Sequence, residues 1–173
     1  MIRKSSSKKS TAIKICGLTK TSQARSIAEL KINAIGVIGV KNSPRFVPEE
    51  ECMKIFNEVE KVSSSIEKVL VIANAKLEEV KCINNRSTPP SVIQLHGNES
   101  VDYCRELKNE FPRIKIWKAF RLKAINDLEN ISQYEKNIDA ILIDAWDDKS
   151  LGGTGNRVPI ELLLNKTFNA PWI

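Results

Sequence analysis

The sequence predicts an α/β domain built by repeating one unit, a strand followed by a helix. Three observations carry this. Short β-rich runs alternate regularly with segments of helical spacing, the runs are apolar on both faces, and the glycines gather where the runs end. Strands such as VLVIA and AILI, apolar at every position, suit a parallel sheet covered on both sides rather than half-solvated hairpins. Of the chain's 7 glycines, Gly17, Gly97, Gly152, Gly153 and Gly155 follow strand ends, the edge at which ligands bind in parallel α/β folds. Two architectures satisfy these observations, a doubly wound open sheet and a (β/α)8 barrel.

The strand runs are Ala12 to Cys16, Ala34 to Val40, Val69 to Ala73, Ser91 to Leu95, Lys115 to Ala119 and Ala140 to Ile143. Helical spacing covers Ser22 to Ile32, Pro48 to Val62, Leu77 to Ile83, Glu99 to Phe111, Ile125 to Tyr134 and Pro159 to Leu164. Pro48 with Glu49, Glu50 and Glu51 forms a favourable helix start, and Asn98 with Glu99 and Ser100 forms another. After the sixth helix, Asn169 to Ile173 reads as the opening of a further strand. This leaves a six-unit open fold with a ragged end, or a barrel lacking its last units. The domain plan is therefore a disordered basic leader over 1–10 and a single domain over 11–173.

With 27 basic and 21 acidic residues the net charge is +6, which raises nucleic acid as a partner. Its position argues otherwise. Residues 1–20 hold Arg3, Lys4, Lys8, Lys9, Lys14 and Lys20 and no acid, so the rest of the chain is balanced. The leader has no apolar stretch of signal-peptide type, and no window is long and apolar enough to span a bilayer. A soluble cytoplasmic protein that binds neither nucleic acid nor membrane is the expectation. Cys16, Cys52, Cys82 and Cys104 show no CxxC spacing and have one histidine between them, which argues against zinc. Cys52, Cys104 and Cys82 read as small apolar core residues.

Five candidates for chemistry fall after strand ends, along one edge of the sheet. Cys16 closes the first strand beside exposed amides, which suits a general base or nucleophile, and a core thiol is the plainer alternative. Arg45 stands on a Pro-stiffened loop after the second strand, where its planar fork could take a carboxylate or phosphate, or simply face solvent. His96, the only histidine, ends the fourth strand. A lone histidine is more often structural. Asp144 closes the sixth after an apolar run, where desolvation would raise its pKa and fit it as a general acid. Gly152 and Gly153 lie in a run that matches neither a Walker A motif nor GxGxxG, yet could expose amides to an anion or serve as a flexible connector.

The segments KICGLT at 14–19, KNSPRFV at 41–47, QLHGNE at 94–99, LIDAWDDKSLGGTG at 142–155 and APWI at 170–173 resemble, in order and spacing, the motifs of the phosphoribosylanthranilate isomerase family of tryptophan biosynthesis. The resemblance implies a (β/α)8 barrel of TIM type, incomplete here, with six units and the start of a seventh strand. It implies the Amadori rearrangement of N-(5-phosphoribosyl)anthranilate to 1-(2-carboxyphenylamino)-1-deoxyribulose 5-phosphate, with no metal or organic cofactor. It further implies Cys16 as general base, Asp144 as general acid and Arg45 as the clamp on the anthranilate carboxylate, with His96, Gly152 and Gly153 lining the pocket for the phosphorylated substrate. Val158, Pro159 and Ile160 depart from the family's aromatic, Asp, Trp segment. A non-catalytic fragment that binds a phosphorylated ligand or a partner chain is the alternative. A nucleotide-binding module fits less well, because the first βα turn carries only Gly17. Whether the chain is a monomer or homodimer is left open by the sequence.

Overall fold

A computed structural model describes residues 11–145, 158, 160–164 and 166–173. Six strands form one parallel sheet: β1 (Lys14–Cys16), β2 (Ala34–Ile38), β3 (Glu67–Ile72), β4 (Val92–Leu95), β5 (Lys115–Leu122) and β6 (Ala140–Ala145), hydrogen-bonded in sequence order. That order decides between the two architectures. A doubly wound sheet reverses direction at a switch point, whereas a barrel adds each strand beside the last.

Curvature follows from side-chain contacts between strands that are not neighbours. On a flat sheet β1 and β4 would stand about 14 Å apart, three strand spacings. Lys14 Nζ on β1 nevertheless donates to Gln94 Oε1 on β4 at 2.5 Å. Two spacings separate β3 from β5, and Lys115 pairs with Glu67 across that gap. The sheet therefore curls inward as an incomplete barrel. Beyond β6, Ile173 N donates to Ile141 O at 2.8 Å and Ile143 N to Ile173 O at 3.0 Å, so residues 171–173 lie as the start of a seventh strand, as the sequence led one to expect.

The pleat sorts the strand residues between two cores. Ala34, Val69, Val92, Trp117 and Ala140 pack together on the concave face. Ile35, Val37, Leu70, Ile72, Ile93, Leu95, Ile116 and Ile141 face outward into the larger core with the helices α1 (Thr21–Ala28), α2 (Glu49–Val62), α3 (Leu77–Asn84) and α4 (Val101–Glu110). From α2 this core receives Cys52, Ile55, Phe56 and Val59 at helical spacing. Cys104 is buried on α4 as expected, but Cys82 is exposed on α3, a correction to its reading as a core residue. The predicted helix Ile125 to Tyr134 is broken into a 3-10 turn at Ile125–Leu128 and the single-turn α5 (Ile131–Tyr134). Asp127 causes part of the break, since its Oδ2 accepts the backbone N–H groups of Lys123 and Ala124 and caps the short turn. In place of the predicted helix at Pro159 to Leu164 there is a 3-10 turn at Ile160–Leu163.

Glu99 is the largest departure at the level of a single residue. Instead of joining the first turn of α4, which Ser100 caps by accepting from Tyr103 N at 3.1 Å, it turns inward and is 6% exposed. Its carboxylate accepts from Asn74 N at 2.8 Å and Gly97 N at 3.0 Å, tying the loop after β3 to the loop after β4. Lys118 of β5, 3% exposed, approaches the same carboxylate at 3.1 Å and donates to Gly97 O and Ala119 O, both at 2.9 Å. With its hydrogen bonds filled, the pair meets the condition under which buried charges are tolerated. Glu99→Ala is expected to lower the unfolding free energy by about 3 kcal/mol by stranding the Lys118 ammonium, and Glu99→Leu with Lys118→Met to lose less than that. Urea unfolding midpoints check both.

Candidate active site

All parallel strands end on one side, and the sequence-predicted residues described by the structure stand there. Cys16 ends β1 with an exposed thiol. Its direct neighbour across the pair is Gly36 of β2, and a Cβ on Gly36 would lie 2.5 Å from the Cys16 Sγ. Only glycine leaves the sulfur its place. The next residue, Gly17, has φ of +92°, so the chain turns sharply off the strand and its N–H donates to Gly36 O at 2.8 Å.

Arg45 is brought back over this corner. After β2 the chain loops out, then returns, with Phe46 bridging Ile38 and Val47 N donating to Ile38 O at 2.9 Å. The exposed Arg45 guanidinium thereby donates from Nη1 to Cys16 O at 3.3 Å and lies against Gly17. Thiol and guanidinium share one corner of the mouth.

His96 and Asp144 meet on the opposite wall. Gln94 and His96 alternate along one face as β4 ends, so both side chains point into the concave side. Gln94 Nε2 lies 2.8 Å from His96 Nδ1, and His96 Nε2 lies 3.1 Å from Asp144 Oδ2. The hydrogen-bond pattern assigns the amide and the imidazole. Lys14 has only donors, so Gln94 turns Oε1 toward it and Nε2 toward His96. Nδ1 then accepts, the proton sits on Nε2, and that N–H donates to Asp144. His96 is thus more than a lining residue.

Lys14 stands at the centre of the mouth. Its ammonium lies over the Trp117 ring, 5.8 Å from the centroid, and interacts with both Cys16 and Asp144. Burial lowers its pKa, while those two groups pull it back up. The sulfur and the carboxyl thus stand around one cation. Arg121, opposite Asp144 in the β5–β6 register, donates to Asn98 Oδ1 at 3.0 Å and adds positive charge beside the carboxyl.

Asp144 corrects the sequence reading. A raised pKa was expected from desolvation. It is lowered, because the His96 hydrogen bond outweighs burial, with further help from the Ala145 N–H at 2.9 Å and the Arg121 charge. Gly152 and Gly153 lie outside the described residues. Lys14, Gln94, Glu99, Lys118 and Arg121 were not singled out from sequence. Two signals were present: Lys14 and Gln94 each stand two residues before a candidate, hence on the same face, and Lys118 is a charge inside an apolar strand. Among the described residues no cluster of three or more His, Cys, Asp or Glu could hold a metal ion, and no helix is long and apolar enough to cross a membrane.

Since the folded Asp144 carboxyl is held below its ordinary 3.8, its contribution to stability is complete above that value and is lost as pH falls through the folded one. Asp144→Asn is expected to flatten the acid limb of the stability curve, read as urea midpoints between about pH 7 and about pH 3.

The model of the N-(5'-phosphoribosyl)anthranilate (PRA) isomerase family matches residues 13–170. Two proteins named N-(5'-phosphoribosyl)anthranilate isomerase are similar to the chain. The one from Trichodesmium erythraeum is 38% identical over 162 residues, covering 93% of this chain and 69% of that protein. The one from Crocosphaera subtropica is 36% identical over 160 residues, covering 92% and 74%. A crystal structure of phosphoribosyl anthranilate isomerase in complex with reduced 1-(o-carboxyphenylamino)-1-deoxyribulose 5-phosphate shares the fold, with a TM-score of 0.67 and 24% identity over 80% of this chain and 66% of that one. Consecutive parallel strands, a common mouth and matches along nearly the whole sequence agree: the chain belongs to the N-(5'-phosphoribosyl)anthranilate isomerase family.

Proposed function

We propose that the chain carries the base, acid and carboxylate-binding groups for isomerising N-(5'-phosphoribosyl)anthranilate, with the product-like ligand of its structural relative indicating the class of molecule bound. What supports this reading is the hydrogen-bonded line from Lys14 through Gln94 and His96 to Asp144, with Cys16 two residues on from Lys14 along β1. Asp144 gives its proton to the furanose ring oxygen as the C1–O bond breaks and the anthranilate nitrogen forms an iminium. The Cys16 thiolate takes the C2 proton, and the electron pair released neutralises the iminium to an enolamine that rearranges to the ketone. Arg45 holds the anthranilate carboxylate beside Cys16, in the bidentate geometry that suits its fork. Gly152 and Gly153 are assigned to substrate binding. The same reading assigns the reaction to the cytoplasm, as the sequence led one to expect.

The lowered pKa of Asp144 shapes the order of events. In the empty site it is a carboxylate, so the proton it delivers must arrive with the substrate. The substrate's own carboxylate and phosphate favour that uptake, because negative charge near a carboxyl raises its proton affinity. Binding of a product analogue is therefore expected to take up a proton, seen by calorimetry in buffers of different ionisation enthalpy; equal heats throughout would count against Asp144 as the acid.

Cys16→Ala and Asp144→Asn should each lower kcat by about 10² to 10⁴-fold, the range typical of general acid and base groups. Arg45→Ala should raise KM and leave kcat nearly unchanged. The deciding assay is turnover by this chain beside the same chain extended by two βα units from a family member. Turnover in neither would sink the isomerase reading.

A further inference from the structure

We infer that Lys14 is a positioning residue for the isomerase reaction: its ammonium fixes the Gln94 amide, the amide fixes the tautomer of His96, and the tautomer presents a donor to Asp144. The inference rests on the isomerase reading for its kinetic consequence alone. The hydrogen-bonded chain runs Lys14 Nζ to Gln94 Oε1 at 2.5 Å, Gln94 Nε2 to His96 Nδ1 at 2.8 Å, and His96 Nε2 to Asp144 Oδ2 at 3.1 Å. Each link has one polarity once Lys14 is in place, since an ammonium cannot accept.

Take the cation away and the polarity is no longer set. Gln94 can then turn through half a revolution and offer Oε1 to His96. Nδ1 must carry a proton to meet it, and Nε2 faces the Asp144 carboxylate with a lone pair. Asp144 loses the bond that orients it toward the sugar ring oxygen. A misplaced tautomer with otherwise intact geometry is known to disable acid–base catalysis.

The surroundings leave Lys14 as the cation set into this wall. The groups facing it are Cys16 from its own strand, Gln94 and through it His96 from β4, the Trp117 ring from β5 and Asp144 from β6, while β2 offers Ala34 and Gly36. Half-buried among these, Lys14 is not a fully solvated surface lysine, and its stem alone does not explain an ammonium aimed at the Gln94 carbonyl.

The chain has a single histidine, so imidazole signals need no assignment. Long-range proton–nitrogen spectra of the whole chain at neutral pH read the tautomer directly. The expected spectrum shows Nε2 protonated and Nδ1 bare. Lys14→Met, close in length but uncharged, should convert this to a mixture, and Lys14→Arg should restore it. In the turnover assay Lys14→Met should lower kcat by about tenfold, short of the ~10² to 10⁴ expected for an acid or base itself, with KM little changed. An unchanged tautomer in Lys14→Met overturns the inference. Should that variant not fold, Gln94→Leu cuts the same chain one link on, and retention of the single tautomer there is equally fatal. The spectra are independent of turnover, so absence of turnover in both the chain and its extended form would reject the isomerase reading and leave the test of Lys14 intact.

Discussion

Everything at the mouth depends on a curved parallel sheet whose interior is spanned by hydrogen bonds between distant strands. Lys14 reaches β4 and His96 reaches β6, distances that only inward curl makes short. The curl in turn places a half-buried cation against the concave wall, where partial loss of water is costly unless its donors find partners. The Gln94 carbonyl, the Trp117 face and the two candidate reacting groups supply those partners. Site and scaffold are thus one network, with the polar interior stabilised by the groups that would do the chemistry.

The loops are held by a second buried network on the outer side of the strands. Glu99 ties the backbones of Asn74 and Gly97, and Lys118 anchors that carboxylate to β5. His96 is one residue from Gly97, so its ring is fixed at both ends, by its own hydrogen bonds inside and by the clamped backbone outside. A rigid platform of this kind suits a reaction in which a carboxyl and a thiol act at neighbouring atoms of one sugar, because small displacements are expensive in rate.

The depressed Asp144 changes the physical picture from the one that desolvation alone suggests. Burial does raise the proton affinity, but an N–H donor at 3.1 Å and nearby positive charge outweigh it. A carboxyl at the end of an apolar run tells of burial, and says nothing of what the next strands but one will point at it. Lys14 shows the converse, a residue counted only toward the charge of positions 1–20 that proves to be a half-buried cation on the concave face.

The sequence by itself determined the repeating strand and helix units, the parallel sheet and the edge at which Cys16, Arg45, His96 and Asp144 gather. These follow from apolar periodicity, strand-end glycines and motif order, all local signals. It misjudged Cys82, which is exposed, and the segment Ile125 to Tyr134, where Asp127 caps the backbone early. Tertiary structure alone decided the curl, the chain from Lys14 to Asp144, the inward turn of Glu99 and the sign of the Asp144 shift. Each depends on which strands become neighbours across the barrel, and hydrogen-bond polarity between residues 80 or 48 positions apart leaves no trace in local pattern.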